Sequence, residues 1–290
     1  MKISELLRNG TVNCSCEIFP PKDSLGIDQI KRVAREIAAL DPCYMSVTYG
    51  ASGGRGLHTA EIARAVKSFG ITPLAHLTCV TNTREEVVGI LKELSDSGIG
   101  NILALRGDIP ADLSFPAPDQ YRYAHELVRE IRSRGDFCIG AACYPEGHPE
   151  SPAKHEDLDR LYEKTEAGVD FLITQLFFDN NILYNFLFRM LQRGIRIPVA
   201  AGIMPVCSGK QIKRICALSG ASLPPRFAAI VDRFGSDPIA MRQAGIAFAT
   251  EQIIDLIANG VNNIHLYTMN KPDVAGEIFK NLSGIIGKPA

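Results

Sequence analysis

The sequence predicts an α/β chain closed into a (βα)8 TIM barrel, and two observations carry that expectation. Short runs rich in β-branched and apolar residues alternate with longer amphipathic stretches eight times over the 290 residues. Glycine repeatedly stands between an amphipathic stretch and the next apolar run, as in Ser97-Gly98, Arg134-Gly135, Ala167-Gly168, Arg193-Gly194 and Asn259-Gly260. The left-handed turn that closes a helix favours a residue without Cβ. An open doubly wound sheet would normally show fewer units and a glycine-rich phosphate turn. No G-x-G-x-x-G follows a strand, and Gly209-Lys210 lacks the rest of a P-loop.

In chain order, the strands expected are 13–19, 43–49, 73–79, 101–106, 138–143, 170–175, 197–203 and 263–268. Helical patterns occupy 27–40, 59–69, 84–97, 119–134, 156–167, 180–193 and 238–259; in 156–167, Leu158, Leu161 and Tyr162 recur at the helical period. The opening Met-Lys-Ile-Ser-Glu-Leu-Leu reads as a short amphipathic helix over one end of the barrel. Segment 219–237 reads as an insertion carrying a short extra helix. Residues 1–290 are expected to form one catalytic barrel with no further domain.

Composition narrows the function. Apolar residues make up 46% and the formal net charge is −1, so no basic field exists to attract nucleic acid. No apolar run reaches the roughly 18–20 residues that span a bilayer, and the start lacks a secretory signal, so a cytoplasmic protein is expected. The eight cysteines form no C-x-x-C pair and read as buried free thiols. Cys14 and Cys16 share a strand face, but without a second Cys/His pair at ligand spacing no metal site is assigned.

In this fold, chemistry sits where strands hand over to βα loops. The residues there are Glu17, Thr48, His76 with Thr78, Arg106-Gly107-Asp108, Tyr144, Gln175, Met204 and Thr268. Alternation puts Ser15 with Glu17, Ser46 with Thr48, and Ile173 with Gln175 on interior faces, and Cys14, Cys16, Met45 and Val47 under the helices. Glu17 precedes the apolar turn Ile18-Phe19-Pro20-Pro21. Such surroundings should hold a carboxyl protonated, as a general acid requires; a salt bridge to Lys22 is the alternative. Gly107 would let a flat ring or phosphate approach the backbone, and Asp108 could accept hydrogen bonds from a pterin-like edge. Asp157, Arg160 and Lys164 share a helical face that, beside His148, could hold a diphosphate and ribose. A solvated charged face is the plainer alternative. Gly50, Gly53, Gly54 and Gly56 mark a mobile loop, with Thr59 as a helix cap.

The phrases CEIFPPK (16–22), SVTYGASGG (46–54), HLTC (76–79), ALRGD (104–108), AACYPEGHPE (141–150), ITQLFFD (173–179), GIMPV (202–206) and HLYTMN (265–270) resemble the methylenetetrahydrofolate reductase family in content and order. The resemblance runs from about residue 14 to residue 280. It implies an FAD-containing barrel that reduces 5,10-methylenetetrahydrofolate to 5-methyltetrahydrofolate with NADH or NADPH by ping-pong hydride transfer, within one-carbon metabolism and methionine biosynthesis. It implies a homo-oligomer, without the S-adenosylmethionine-binding domain of eukaryotic members. By motif, Glu17 is the proton donor and Asp108 lies near flavin and pterin. Gln175 contacts folate or nicotinamide, and Thr48 also borders the substrate. Thr48, Tyr49, Ala51, His76, Arg106, Gly107, Asp108, Tyr123, Ala124, Tyr144, His148, Asp157 and Lys164 match positions that hold FAD; Arg160 joins them through its helical face. Two positions depart from the pattern. Gly209 stands where many relatives carry an aromatic that stacks on nicotinamide or folate. Lys271 stands where bacterial relatives often have arginine for the folate glutamate tail. The first departure keeps open a catalytic subunit fed by an iron–sulfur partner; a non-catalytic flavin- or folate-binding protein is a third reading.

Overall fold

The computed structural model describes residues 1–21, 26–49, 58–109, 115–151 and 153–289. Eight parallel strands close in sequence order: β1 (Asn13–Ile18), β2 (Met45–Val47), β3 (Pro73–Thr78), β4 (Asn101–Leu105), β5 (Cys138–Cys143), β6 (Phe171–Thr174), β7 (Val199–Ile203) and β8 (Asn263–Tyr267). β8 returns to β1 in the register Ser15↔His265 and Glu17↔Tyr267, which closes the barrel. The helices are α1 (Ile3–Leu6), α2 (Ile27–Ala38), α3 (Thr59–Ser68), α4 (Arg84–Asp96), α5 (Ala124–Arg134), α6 (Lys154–Glu166), α7 (Asn180–Gln192), α8 (Gly209–Ser219), α9 (Pro225–Phe234), α10 (Pro238–Ala258) and α11 (Pro272–Asn281). None is long and apolar enough to cross a membrane among the described residues.

Alternation sorts the strands as expected. Cys14, Cys16, Ile18, Met45 and Val47 join the cluster that packs the barrel against its helices. A separate apolar plug fills the lower interior, built from Ile3, Leu6 and Leu7 with Tyr44, Leu74, Leu103, Phe171 and Ile173. Here α1 closes the N-terminal end. Asn101 Oδ1 accepts from the Ile3 N–H at 3.0 Å, and its Nδ2 donates to Met1 O at 3.2 Å. Interior crowding explains two glycines. A Cβ at Gly140 would lie 2.5 Å from Phe171 Cζ, and one at Gly202 would lie 2.6 Å from Tyr267 Cε2.

One helix is added to those expected, and one expectation is corrected. The extra helix expected within 219–237 is α9; a further helix that was not expected, α8, precedes it, and the pair caps a third apolar cluster of Leu176, Phe178, Met204, Val206, Ile212, Phe227 and Met241. Thr59 does not cap α3; it is the first helical residue, and its hydroxyl donates to Thr48 O at 3.0 Å. Gly209 stands at a close helix contact. A Cβ there would lie 2.5 Å from Gly235 Cα, so the glycine exists to let α8 touch the end of α9. The loop of Gly50, Gly53, Gly54 and Gly56 lies outside the described residues.

Candidate active site

β2, β3 and β8 bring three polar side chains onto one carboxylate, that of Glu17 on β1. Glu17 Oε2 accepts from Ser46 Oγ at 3.0 Å, lies 3.4 Å from His265 Nε2 and lies 3.4 Å from His76 Nε2. The register makes this convergence: Ser46 is Glu17's partner on β2, and His265 is Ser15's partner on β8. His265 is fully buried, stacked on Tyr44 with ring centroids 5.7 Å apart and edge-on to Tyr267 at 5.3 Å. Its Nδ1 lies 2.7 Å from Ser15 Oγ, which donates to Ile264 O at 3.0 Å. Since that hydroxyl has one hydrogen, His265 Nδ1 carries the proton toward Ser15. The Ser46 hydrogen is directed at Glu17. Ser46 Oγ also lies 3.3 Å from His265 Nε2, so that nitrogen faces both the hydroxyl and the Glu17 carboxylate.

The expectation that the apolar turn holds Glu17 protonated is not met. Burial is the strongest single influence and pushes its pKa up, but the His265 hydrogen bond, the charges of His76 and His265 and the Ser46 bond together leave it lowered. Ile18, the nearest apolar neighbour, points into the helix-facing core instead. His76 is pushed down to about 4 by burial, so near neutral pH it is uncharged and the hydrogen bonds carry the lowering of Glu17. The alternative ion partner, Lys22, lies outside the described residues.

The remaining residues form a band around the mouth. Arg106 donates through both terminal nitrogens to Glu150, at 2.6 and 2.7 Å, and through Nε to Gly107 O at 3.3 Å. Tyr144 packs edge-on to His148 with centroids 4.6 Å apart, and burial raises its pKa to about 12. Asp108 is exposed, within electrostatic reach of Arg106 and Tyr144. Tyr49 donates to Asn82 Oδ1 at 2.7 Å. Lys164 donates to Ala142 O at 2.8 Å; burial lowers its pKa and raises that of Asp157, so two half-buried charges face each other with few partners. Arg160 does not join them. Its side chain is 73% exposed and pairs with Glu163, so the expected three-residue face holds only two. Tyr123 is exposed at the start of α5 beside Arg122 and His125, with Ala124 next to it. Gln175 Oε1 accepts from the adjacent Leu176 N–H at 2.9 Å, and Lys271 is exposed at the start of α11. Ala51 lies outside the described residues.

Several observations fit a flat, polar cofactor in this band. Thr48 Oγ1 and His76 Nε2 are buried without a hydrogen-bond partner. Gly107 has φ +86°, and a Cβ there would lie 3.1 Å from Thr78 Cβ. Sequence reasoning passed over His265, Ser15 and Ser46 as functional residues. For Ser15 and Ser46 the available signal was parity, each lying two residues from a residue already placed at the rim; His265 lies three before Thr268, and the cross-strand register that joins it to them is not written in any one segment.

Comparison with known proteins agrees with this geometry. The family model for methylenetetrahydrofolate reductase matches residues 2–283. The 5,10-methylenetetrahydrofolate reductases of Pectobacterium carotovorum and Escherichia coli are 34% and 33% identical, over 94% of this chain and 91% of theirs. Methylenetetrahydrofolate reductase (NADH) 1 of Arabidopsis thaliana is 33% identical over 97% of this chain and 50% of its own length. A Clostridium thermocellum protein solved with two copies of 5-methyl-5,6,7,8-tetrahydrofolic acid shares the fold, with a TM-score of 0.66 at 16% identity over 98% of this chain and 99% of that one. With its barrel, its polar rim and these relatives, the chain belongs to the methylenetetrahydrofolate reductase family.

Proposed function

We propose that this chain reduces 5,10-methylenetetrahydrofolate to 5-methyltetrahydrofolate, with FAD as resident flavin and NADH or NADPH as donor in a ping-pong cycle. The observation that carries the reading is the set of Ser46, His76 and His265 around the Glu17 carboxylate. FAD, when bound, supplies hydride exchange at its isoalloxazine ring. Thr48, His76, Gly107, Arg106, Tyr144, His148, Asp157 and Lys164 would hold it.

Opening the imidazolidine ring requires a proton at the departing nitrogen, and leaves a 5-iminium cation whose exocyclic carbon accepts hydride. Glu17 gives that proton. A carboxylate held ionised cannot give one, so His265 has a stated part: it keeps a proton at the Glu17–Nε2 contact and is held in orientation by Ser15. Asp108, at the mouth, sets negative charge where the cation develops. Gln175 would turn its carboxamide from Leu176 to the pterin or nicotinamide ring, and Lys271 would meet the glutamate tail.

The test is Glu17→Gln followed by stopped-flow in each half-reaction. Reduction of the flavin by nicotinamide should persist, whereas folate reduction should fall by about 10²–10⁴-fold, the usual worth of general acid catalysis. Equal slowing of both halves would refute the role given to Glu17. Wild-type flavin that neither NADH nor NADPH bleaches, while reduced chemically it still turns over folate, would favour a protein electron donor.

A further inference from the structure

Above the last backbone pair of the β1–β8 seam, Glu17 with Tyr267, the two chains stay joined by side chains. Thr268 Oγ1 donates to Glu17 O at 2.6 Å. The Asn270 carboxamide takes both backbone groups of Phe19: the Phe19 N–H donates to Oδ1 at 3.1 Å, and Nδ2 donates to Phe19 O at 2.9 Å. Pro20 and Pro21 follow, so the chain beyond Phe19 has no N–H with which to extend a ladder. The side chain of Asn270 supplies what a strand cannot.

The backbone is bent to make this possible. Met269 and Asn270 both occupy the left-handed region, with φ of +52° and +55°. Asparagine tolerates that region well; methionine rarely enters it. Such residues persist only where the surroundings over-determine them, and they gather at functional sites. The reversal also ends in a fixed place, because the Lys271 N–H donates to Thr268 O at 3.0 Å before α11 begins. Glu17, Phe19, Thr268, Asn270 and Lys271 are thus one hydrogen-bonded unit.

We propose that Asn270 is a positioning residue for the reduction: by clamping Phe19 it fixes the Glu17 carboxyl relative to Lys271. This rests on the function proposed above. A substrate held at its anionic tail by Lys271 and protonated near its ring by Glu17 needs both groups at one separation. The carboxamide spans the seam between them. Phe19 lies two residues beyond Glu17, so a shift of its backbone turns the end of β1 and swings the carboxyl away from the departing nitrogen.

Asn270→Gly is the informative variant, since glycine keeps the left-handed backbone at no steric cost and removes only the carboxamide. Asn270→Asp keeps the acceptor for the Phe19 N–H while setting a negative oxygen against Phe19 O, so it should fall between. Three quantities are measured: hydrogen exchange at the Phe19 amide in flavin-free protein, flavin reduction by nicotinamide, and folate reduction by the reduced enzyme. In Asn270→Gly the Phe19 amide should exchange faster. Flavin reduction should stay within about twofold, and folate reduction should fall about 10–100-fold, the scale of an ångström-sized misplacement. Faster exchange with folate reduction at the wild-type rate would overturn the assignment, as would both half-reactions slowed alike. A wild-type enzyme that is inert toward methylenetetrahydrofolate would instead overturn the proposed function, and the assignment with it.

Discussion

Replacing Gly209 with phenylalanine separates two accounts of the missing aromatic. If the position only lacks a ring to stack on the nicotinamide, restoring one should improve NADH binding by up to about tenfold, the equivalent of roughly 1 kcal/mol of stacking. The packing argues otherwise. A Cβ at 209 would meet Gly235 Cα at 2.5 Å, its carbonyl oxygen at 2.7 Å and its carbonyl carbon at 2.9 Å. Carbon–carbon contacts ordinarily lie near 3.5–4.0 Å, so the start of α8 and the end of α9 would have to part by about 1 Å. Both surfaces are backbone, with no side chain to rotate aside. Overpacking of this kind costs about 1–3 kcal/mol. At roughly 2 cal/mol/K per residue, unfolding of this chain carries an entropy of about 0.6 kcal/mol/K, which converts that cost to a fall in Tm of about 2–5 °C. Calorimetry beside pre-steady-state reduction by NADH decides the matter. The expected result is a lower Tm with no gain for NADH in Gly209→Phe, and most of the same loss already in Gly209→Ala. An unchanged Tm with tighter NADH would refute the packing account.

Two further outcomes follow from the interior. Gly202→Ala should lower Tm by a similar 2–5 °C, because its Cβ would lie 2.4 Å from Thr174 O and 2.8 Å from the Tyr267 hydroxyl, which donates to that same carbonyl at 2.6 Å; a wild-type Tm would show that Tyr267 yields freely. Flavin-free protein should lose stability as pH falls from about 6.5 to 4: His76 has a folded pKa lowered to about 4, so the stability it contributes is complete above its unfolded value and fades toward the folded one. His76→Gln should flatten that slope in urea titrations at successive pH values, and an unaltered slope would assign the acid sensitivity elsewhere.

The barrel was legible because its signals are local and repeated. Strand parity put Cys14, Cys16, Met45 and Val47 under the helices, and glycines such as Gly98, Gly194 and Gly260 adopt the left-handed φ that their helix ends require. The α8–α9 pair was less legible. Ile212 is the only large apolar residue that α8 buries, so the apolar stripe of that helix is too thin to mark it against its many lysines and arginines. The contact that shapes the pair joins Gly209 to Gly235, two glycines with no pattern between them. Arg160 failed for a related reason: spacing put it on the face of Asp157 and Lys164, but Glu163, three residues on, draws the guanidinium outward.

Glu17 shows most clearly where sequence reasoning stops. Its position at the mouth follows from parity, yet its protonation depends on β2, β3 and β8, which are 29, 59 and 248 residues away in Ser46, His76 and His265. A neighbouring apolar sequence says little about a carboxyl whose strand sends alternate residues to opposite faces. The same barrel geometry resolves the apparent conflict between a lowered pKa and an acid's role. The hydrogen bonds of His265 and Ser46 that hold the carboxylate ionised also set two proton-bearing groups beside it. Burial, the opposing influence, grows as ligands cover the mouth and exclude water, which favours the neutral acid at the stage when the proton is needed. In the proposed reduction the proton would therefore come from the Glu17–His265 pair rather than from the carboxyl alone.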